Sequence, residues 1–215
     1  MNQNKKVSQV VVRRLSRYYR YLTDLLNGGT ERISSKALSE RMNSTASQIR
    51  QDLNCFGGFG QQGYGYKVSE LHDAIGEILG LDRGYRTIII GAGNLGRAIA
   101  NYHGFENRGF KNVAIFETNP DLIGQTVNGV SILPVSELEQ VMKTEKPEIG
   151  ILTLPKENAN EMAQKLVDYG IKGIWNFSHM ELSVQSDRIV PVENVHLSDS
   201  LMTLSYRITA LEEHE

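Results

Sequence analysis

The sequence of 215 residues has one cysteine, five prolines and one tryptophan. The single cysteine, Cys55, cannot close an intramolecular disulfide, and no Cys/His group at metal-ligand spacing surrounds it. We therefore expect neither a disulfide scaffold nor a metal site. No stretch approaches the roughly 20 apolar residues that span a bilayer, and residues 1–6 are polar and basic. We expect a cytoplasmic protein without a membrane partner.

The net charge of −2 is small, but two parts of the chain carry opposite charges. Residues 1–67 contain 11 Lys/Arg and 4 Asp/Glu, a balance of +7, whereas the remainder contains 12 and 21, a balance of −9. A basic module attracts polyanions such as nucleic acid or an acidic membrane. An ordinary helical domain with a solvated charged face has the same balance. Charge alone leaves both interpretations open.

The first part of the chain has helical periodicity. Apolar residues recur at three- and four-residue steps over residues 7–26 and predict an amphipathic helix. A second helix is predicted over residues 35–42, and a capping-box pattern at Thr45 predicts a third that ends near Cys55. The glycine-rich residues 57–66 then predict a β-hairpin. Three helices followed by a hairpin indicate a winged helix-turn-helix domain.

The third predicted helix has two distinct faces. Apolar residues lie on one stripe, and polar residues lie on another at i, i+3, i+4 and i+7 spacing. Such a helix packs with one face and reads DNA with the other. The predicted reading face consists of Ser47, Arg50, Gln51 and Asn54.

After a further predicted helix over residues 71–81, short apolar strands alternate with helical segments. The strands are predicted over residues 87–90, 113–116, 149–154 and 171–175, and the helices over residues 98–103, 135–142 and 158–169. This alternation is typical of βαβ units and a parallel sheet. An apolar seam over residues 199–211 predicts a C-terminal helix.

A glycine motif follows the first of these strands. Residues 91–96 read G-A-G-N-L-G between a strand and a helix, the setting in which G-x-G-x-x-G binds a dinucleotide pyrophosphate. Glu117 ends the next strand, 21 residues after Gly96, where a carboxylate binds ribose hydroxyls and disfavours a 2′-phosphate. The pattern favours NAD(H) over NADP. The alternative is another nucleotide, such as a flavin or the adenosine part of coenzyme A.

The predicted cofactor-binding residues comprise the glycine motif, the acidic residue and two residues on the nicotinamide side. They are Gly91, Ala92, Gly93, Asn94, Leu95, Gly96, Glu117, Thr153 and Pro155. The predicted domains are a winged-helix domain over residues 1–82, a Rossmann NAD(H)-binding domain over residues 83–198 and a C-terminal dimerisation helix over residues 199–215.

The sequence favours a sensor over an enzyme. Almost no chain remains to build a substrate pocket, and none of the five histidines lies in a recognisable catalytic grouping. A sensor need only bind oxidised and reduced nicotinamide with different affinity, since the oxidised ring carries a positive charge. One alternative is a small NAD-dependent oxidoreductase with a basic oligomerisation module. Another is a CoA-binding ligase subunit, which would need neither a winged helix nor the acid at Glu117.

With these modules in this order, the sequence resembles the Rex family of redox-sensing transcriptional repressors over nearly its whole length. The stretches that carry the resemblance are LSRYYRYLTDL at residues 15–25, SQIRQDLNCFG at 47–57, GYGY at 63–66, the glycine motif and GIKGIWNF at 170–177. The resemblance implies a homodimer that exchanges its C-terminal helix. It also implies a repressor that binds a palindromic operator when apo or NAD⁺-bound and is released by NADH.

The resemblance also assigns residues to DNA binding. It implies that Arg50 contacts a base or a phosphate and that the wing, with Gln61, Gln62, Gly63 and Tyr64, reaches an adjacent minor groove. Family members often carry basic residues where Gln51 and the two wing glutamines stand here. We therefore expect fewer ionic contacts with DNA and a shallower salt dependence.

The family's domain-coupling contacts include an arginine, a tyrosine and an aspartate. Arg20 in the first helix and Tyr102 in the helix after the glycine motif match the first two. His196 stands at the third position, and the nearest acid is Asp199. We expect that either His196 or Asp199 replaces the missing aspartate.

Overall fold

Residues 8–57, 59 and 64–212 are described by a computed structural model. The chain divides into two compact units between Arg83 and Gly84. The described part of the chain has no helix that is long and apolar enough to cross a membrane.

The described residues of the N-terminal unit form four helices and one small antiparallel sheet. The helices are α1 (Gln9–Asn27), α2 (Ser35–Met42), α3 (Ala46–Asn54) and α4 (Val68–Leu79), and the strands are β1 (Arg32–Ile33) and β2 (Tyr66–Lys67). The helices have the predicted winged-helix order. Strand β2 pairs with β1, which precedes α2, and residues 58 and 60–63 of the predicted hairpin lie outside the described residues. Gln61, Gln62 and Gly63, the predicted residues of the hairpin tip, lie outside the described residues.

Side-chain caps and one apolar core define the helices of this unit. The side-chain oxygens of Ser8, Ser34 and Thr45 accept backbone N–H bonds at the starts of α1, α2 and α3, which satisfies donors that a helix start leaves free. The core buries the apolar stripes of all four helices against each other. Its members include Leu15, Tyr18, Leu22, Leu38, Ile49, Leu53, Leu71 and Ile75.

The C-terminal unit is built on a seven-stranded sheet. Its strands are β3 (Tyr85–Ile90), β4 (Phe110–Glu117), β5 (Thr126–Val127), β6 (Val130–Pro134), β7 (Ile149–Leu152), β8 (Gly173–Asn176) and β9 (Val192–Asn194). The spatial order is β5-β6-β4-β3-β7-β8-β9, and every pair is parallel except β5 with β6. Without the short β5, this is the Rossmann order 3-2-1-4-5-6.

The helices of this unit are α5 (Asn94–Ala100), α6 (Leu138–Glu145), α7 (Lys156–Asp168) and α8 (Leu197–Glu212), with 3₁₀ turns at Glu106–Arg108 and Val135–Glu137. Two separate apolar clusters cover the two faces of the sheet. No residue of α8 is buried.

Several predicted boundaries were wrong in the C-terminal unit. Helix α5 begins at Asn94, inside the glycine motif, and ends at Ala100, so Tyr102 lies in the turn after it and not in a helix. Helix α8 begins at Leu197, which places Asp199 in its first turn. The short strands β5, β6 and β9 were missed because strands of two to five residues carry too little periodicity to identify.

Candidate DNA interface and dinucleotide site

The predicted reading face of α3 is exposed as a unit. Ser47, Arg50, Gln51 and Asn54 are all exposed, whereas Ile49 and Leu53 are buried on the other side. The turn between α2 and α3 passes through Asn43 in the left-handed conformation (φ 49°), which asparagine tolerates better than most residues. Helix α3 therefore packs through its apolar face and leaves the predicted reading face open to solvent.

A buried carboxylate joins this helix to α1. Asp52 accepts two hydrogen bonds from the Arg14 guanidinium (2.6 and 2.7 Å), one from the Tyr18 hydroxyl (2.6 Å) and one from the Gln48 amide (2.8 Å). Asp52 and Tyr18 are almost fully buried. We call these four residues the Asp52 cluster. It fixes α3 against α1 from the side opposite the reading face.

The cluster keeps Asp52 ionised. Burial alone would raise its pKa, but the hydrogen bonds from Arg14, Tyr18 and Gln48 outweigh burial and lower the pKa below its ordinary value. Burial and the hydrogen bond to Asp52 raise the pKa of Tyr18, so its hydroxyl stays a donor. The sequence did not reveal the cluster, although a tyrosine on an apolar stripe signals a hydroxyl that needs a partner.

The structure gives a hydrogen bond for two of the predicted DNA-binding residues, Arg50 and Tyr64. The Arg50 guanidinium donates to the Ser35 hydroxyl at the start of α2 (3.0 Å). Tyr64, the first described residue after position 59, is 71% exposed, and its carbonyl accepts from Arg32 (3.3 Å). Both predicted DNA-binding side chains are accessible.

The glycine loop, residues 91–96, connects β3 to α5 at the carboxyl edge of the sheet. Gly91 has φ +104°, and a Cβ there would lie 2.8 Å from the Thr153 carbonyl oxygen. A Cβ at Gly96 would overlap the Gly91 carbonyl. Nothing lies within 4 Å of a Cβ built at Gly93. The first and third glycines thus serve packing, and the second leaves the loop open on its outer side, as a phosphate group requires.

Glu117 lies beside this loop at the end of β4. One of its oxygens accepts from the Ala92 N–H (2.7 Å), and the other accepts from the N–H groups of Thr118 (2.7 Å) and Asn119 (3.1 Å). Burial would raise its pKa, but these hydrogen bonds outweigh burial and lower it. Glu117 is therefore an oriented carboxylate next to the glycine loop.

Thr153 and Pro155 follow β7 at the same edge. The Thr153 hydroxyl lies 2.9 Å from the Gly91 carbonyl oxygen and 3.1 Å from that of Ile90, and it can donate to either. Pro155 is exposed at the start of α7. Within the described ranges, no group of three or more His, Cys, Asp or Glu side chains could hold a metal ion.

An aromatic chain runs from the sheet edge to Tyr102. Trp175 in β8 packs edge-on against Phe105 (ring centroids 5.4 Å apart), and Phe105 packs edge-on against Tyr102 (4.8 Å). Tyr102 is still 53% exposed.

The other predicted coupling residues lie in different environments. His196 is half-buried, with Nε2 3.8 Å from Glu181 Oε1, whereas Asp199 is exposed. Arg20 is exposed on α1 in the N-terminal unit.

Two relatives cover this chain almost completely. A protein of Thermoanaerobacter pseudethanolicus, described as redox-sensing transcriptional repressor Rex, is 56% identical over 99% of this chain and 94% of its own length. A protein of Clostridium beijerinckii with the same description is 51% identical over 99% of this chain and all of its own length.

This chain belongs to the Rex family of redox-sensing transcriptional repressors.

Solved structures of a Rex-family repressor, RSP, are similar to the whole chain. The complex of RSP with β-NAD⁺ and operator DNA is 55% identical, with a TM-score of 0.89 over 98% of this chain and 96% of RSP. The complex of RSP with β-NADH is 52% identical, with the same TM-score over 98% of both chains. These likenesses confirm the predicted fold class.

Two family models match this Rex chain, and each model falls almost entirely within one of the two compact units. Residues 6–54 match "Putative DNA-binding protein N-terminus", and residues 82–180 match "CoA binding domain". The second description names coenzyme A, which was an alternative ligand for the glycine motif, but the full-length relatives are Rex repressors. Neither the oxidoreductase nor the ligase subunit is favoured, and the prediction that the chain is not an enzyme agrees with a family of repressors.

Proposed function

We propose that this protein is an NADH-responsive transcriptional repressor. It binds operator DNA when apo or NAD⁺-bound and leaves the operator when NADH binds. The observation that carries the proposal is the full-length likeness to RSP, which has been crystallised with β-NAD⁺ and operator DNA and separately with β-NADH. Because such a protein acts on DNA, we place it in the cytoplasm. We assign it no metal.

The residues of the glycine loop fit a dinucleotide. The open side of Gly93 leaves room for the pyrophosphate, and N–H groups in the first turn of α5 have no acceptor within the helix. Glu117 would hold the adenosine ribose and disfavour NADP because its carboxylate would repel a 2′-phosphate. The nicotinamide supplies a ring whose charge depends on its redox state. We assign Thr153 and Pro155 to the nicotinamide side because both follow β7 at the edge of the sheet that carries the loop.

The reading face of α3 would enter the major groove. Arg50 is the residue most suited to base recognition because a guanidinium can donate two hydrogen bonds to guanine. Ser47, Gln51 and Asn54 flank it on the same exposed face. Tyr64, with Gln61, Gln62 and Gly63, would reach the adjacent minor groove. This assignment rests on the position of the residues and on the resemblance to the family.

We propose a homodimer in which α8 is covered by the partner subunit. Seven of its apolar side chains are at least half exposed, an arrangement that a monomer in water would not favour. They are Leu197, Leu201, Met202, Leu204, Tyr206, Ile208 and Leu211, with exposures of 50–75%. A two-fold dimer predicts a palindromic operator, with half-site centres about 34 Å apart or a multiple of that distance.

Coupling between the two sites needs contacts that differ between two arrangements of the dimer. We assign these contacts to Arg20, Tyr102 and either His196 or Asp199. Double-mutant cycles of Arg20 with His196 and of Arg20 with Asp199 identify which residue couples to Arg20. The measured quantity is the change in operator affinity that NADH causes. Absence of coupling to both would remove this assignment.

Fluorescence anisotropy of a labelled operator, selected from random DNA, tests the function. We expect specific binding without dinucleotide and with NAD⁺, and loss of binding with NADH. Arg50→Ala should weaken specific binding about 10- to 100-fold, the usual cost of one bidentate base contact. Lys111→Ala, which removes an exposed cation of the C-terminal unit, is the control. Equal binding with both dinucleotides would refute redox sensing.

A further inference from the structure

The first peptide of the glycine loop is held from both sides. Its carbonyl, that of Gly91, accepts from the Thr153 hydroxyl (2.9 Å), and its amide, that of Ala92, donates to Glu117 (2.7 Å). Thr153 follows β7 and Glu117 ends β4, the two strands that flank β3. The orientation of one peptide plane is thus fixed by side chains from both neighbouring strands.

The Thr153 hydroxyl is committed to this task. It has a single proton, and both acceptors within reach are main-chain carbonyls, those of Gly91 (2.9 Å) and Ile90 (3.1 Å). A Cβ at Gly96 would lie 2.8 Å from the same hydroxyl oxygen, so the hydroxyl is enclosed between the loop and α5. Its proton is therefore directed at the main chain where β3 meets the loop and not towards a ligand.

The peptide needs such a restraint because glycine precedes it. Gly91 has φ +104°, and glycine resists rotation less than any other residue. Rotation of the Gly91–Ala92 peptide would take the Ala92 N–H away from Glu117. The carboxylate would then lose its hydrogen bond to the glycine loop, leaving those from Thr118 and Asn119.

We propose that Thr153 is a positioning residue for dinucleotide binding. It holds the Gly91–Ala92 peptide so that the Ala92 N–H orients the Glu117 carboxylate towards the adenosine ribose, on the far side of β3 from Thr153 itself. A contact on the nicotinamide side thereby organises the adenosine side before any ligand arrives, which reduces the ordering that binding must supply. This inference rests on the proposed dinucleotide function.

Thr153→Val and Thr153→Ser test it, because valine keeps the branched shape without the hydroxyl and serine keeps the hydroxyl. We expect Thr153→Val to weaken both NADH and NAD⁺ binding about 10-fold by calorimetry, the cost of one buried hydrogen bond. Thr153→Ser should restore most of the affinity. Thr144→Val is the matched control, since its hydroxyl also donates to a main-chain carbonyl, that of Gln140 in α6 (3.0 Å).

Hydrogen exchange of the ligand-free protein gives a readout that does not depend on binding. We expect Thr153→Val to accelerate exchange of the Ala92 amide, while the amides of α7 keep their protection. Uniform acceleration across the C-terminal unit would indicate a general loss of stability and would overturn the positioning role.

A double-mutant cycle with Glu117→Gln identifies the route. If Thr153 acts through the peptide that Glu117 also holds, Thr153→Val should cost little further affinity once Glu117 is replaced. Additive losses would show that Thr153 acts independently and would refute the proposal. Failure of the unaltered protein to bind either dinucleotide would instead refute the proposed function. Binding by the unaltered protein with no effect of Thr153→Val would refute this inference alone.

Discussion

Each unit of this protein holds a partly or fully buried carboxylate with a lowered pKa, but the two are held by different means. Asp52 in the N-terminal unit is bound by three side chains, Arg14, Tyr18 and Gln48. Glu117 in the C-terminal unit is bound mainly by backbone N–H groups. Side-chain partners can be lost by single substitutions, whereas backbone donors are supplied by the fold. Asp52 thus fixes how helices pack, and Glu117 is fixed by the sheet edge around it.

The largest effect should follow from Asp52→Ala. It leaves the Arg14 guanidinium and the buried Tyr18 hydroxyl without their acceptor, and breaking a buried pair in this way costs about 3 kcal/mol of the free energy of unfolding. Urea unfolding, monitored by hydrogen exchange of the α1 and α3 amides, measures this loss of free energy. Glu70→Ala, which removes the partner of an exposed lysine, Lys67, is the control. A loss no larger than that of the control would contradict the role of the cluster.

Glu117→Gln should have its main effect on binding. The amide retains one acceptor oxygen but turns an NH₂ group towards backbone donors, so we expect NADH affinity to fall about 10- to 100-fold with little change in operator affinity of the apo protein. Calorimetry and anisotropy measure the two quantities. Glu148→Gln, which removes an ion-pair partner of Lys172 before β7, controls for the lost charge. Unchanged NADH affinity would show that the carboxylate does not face the ligand.

Acid should destabilise both units through these carboxylates. A group whose pKa is lowered by folding stabilises the protein above its unfolded pKa, about 4, and this stabilisation is lost as the pH falls through the lower folded value. Trp175, the single tryptophan, reports the C-terminal unit by fluorescence. Exchange of α3 amides reports the N-terminal unit. We expect Asp52→Asn to reduce the loss of stability at acid pH in the N-terminal unit only. Glu117→Gln should reduce it in the C-terminal unit only.

The smallest effect should come from an exposed ion pair, Glu139 with Lys143, whose carboxylate has a lowered pKa like those of Asp52 and Glu117. A hydrogen bond from Lys143 lowers the pKa of Glu139 on the surface of α6. Solvent screens this pair, so Glu139→Gln should leave the unfolding transition of the C-terminal unit unchanged. A clear decrease in stability would mean that the contrast between buried and exposed carboxylates is weaker than we infer.

Much of the fold was predictable because its signals are local. The helices of the N-terminal unit follow from apolar periodicity and from the side-chain cap at Thr45. The glycine motif and Glu117 mark the dinucleotide site because their spacing is set by one βαβ unit. The strands β5, β6 and β9 were not predicted, because strands of two to five residues carry too little periodicity to identify. The start of α8 at Leu197 was not predicted, because a helix end depends on contacts with residues that are distant in sequence.

Local sequence patterns were enough to predict the two modules, their order, the exposed polar face of α3 and the loop at residues 91–96, since each depends on residues that are close along the chain. The pairing of polar groups depends instead on how the chain folds. Asp52 is 38 residues from Arg14, and Thr153 is 62 from Gly91. Hydrogen bonds act over about 3 Å, so such partners are chosen by the packing of helices and strands and not by any local pattern.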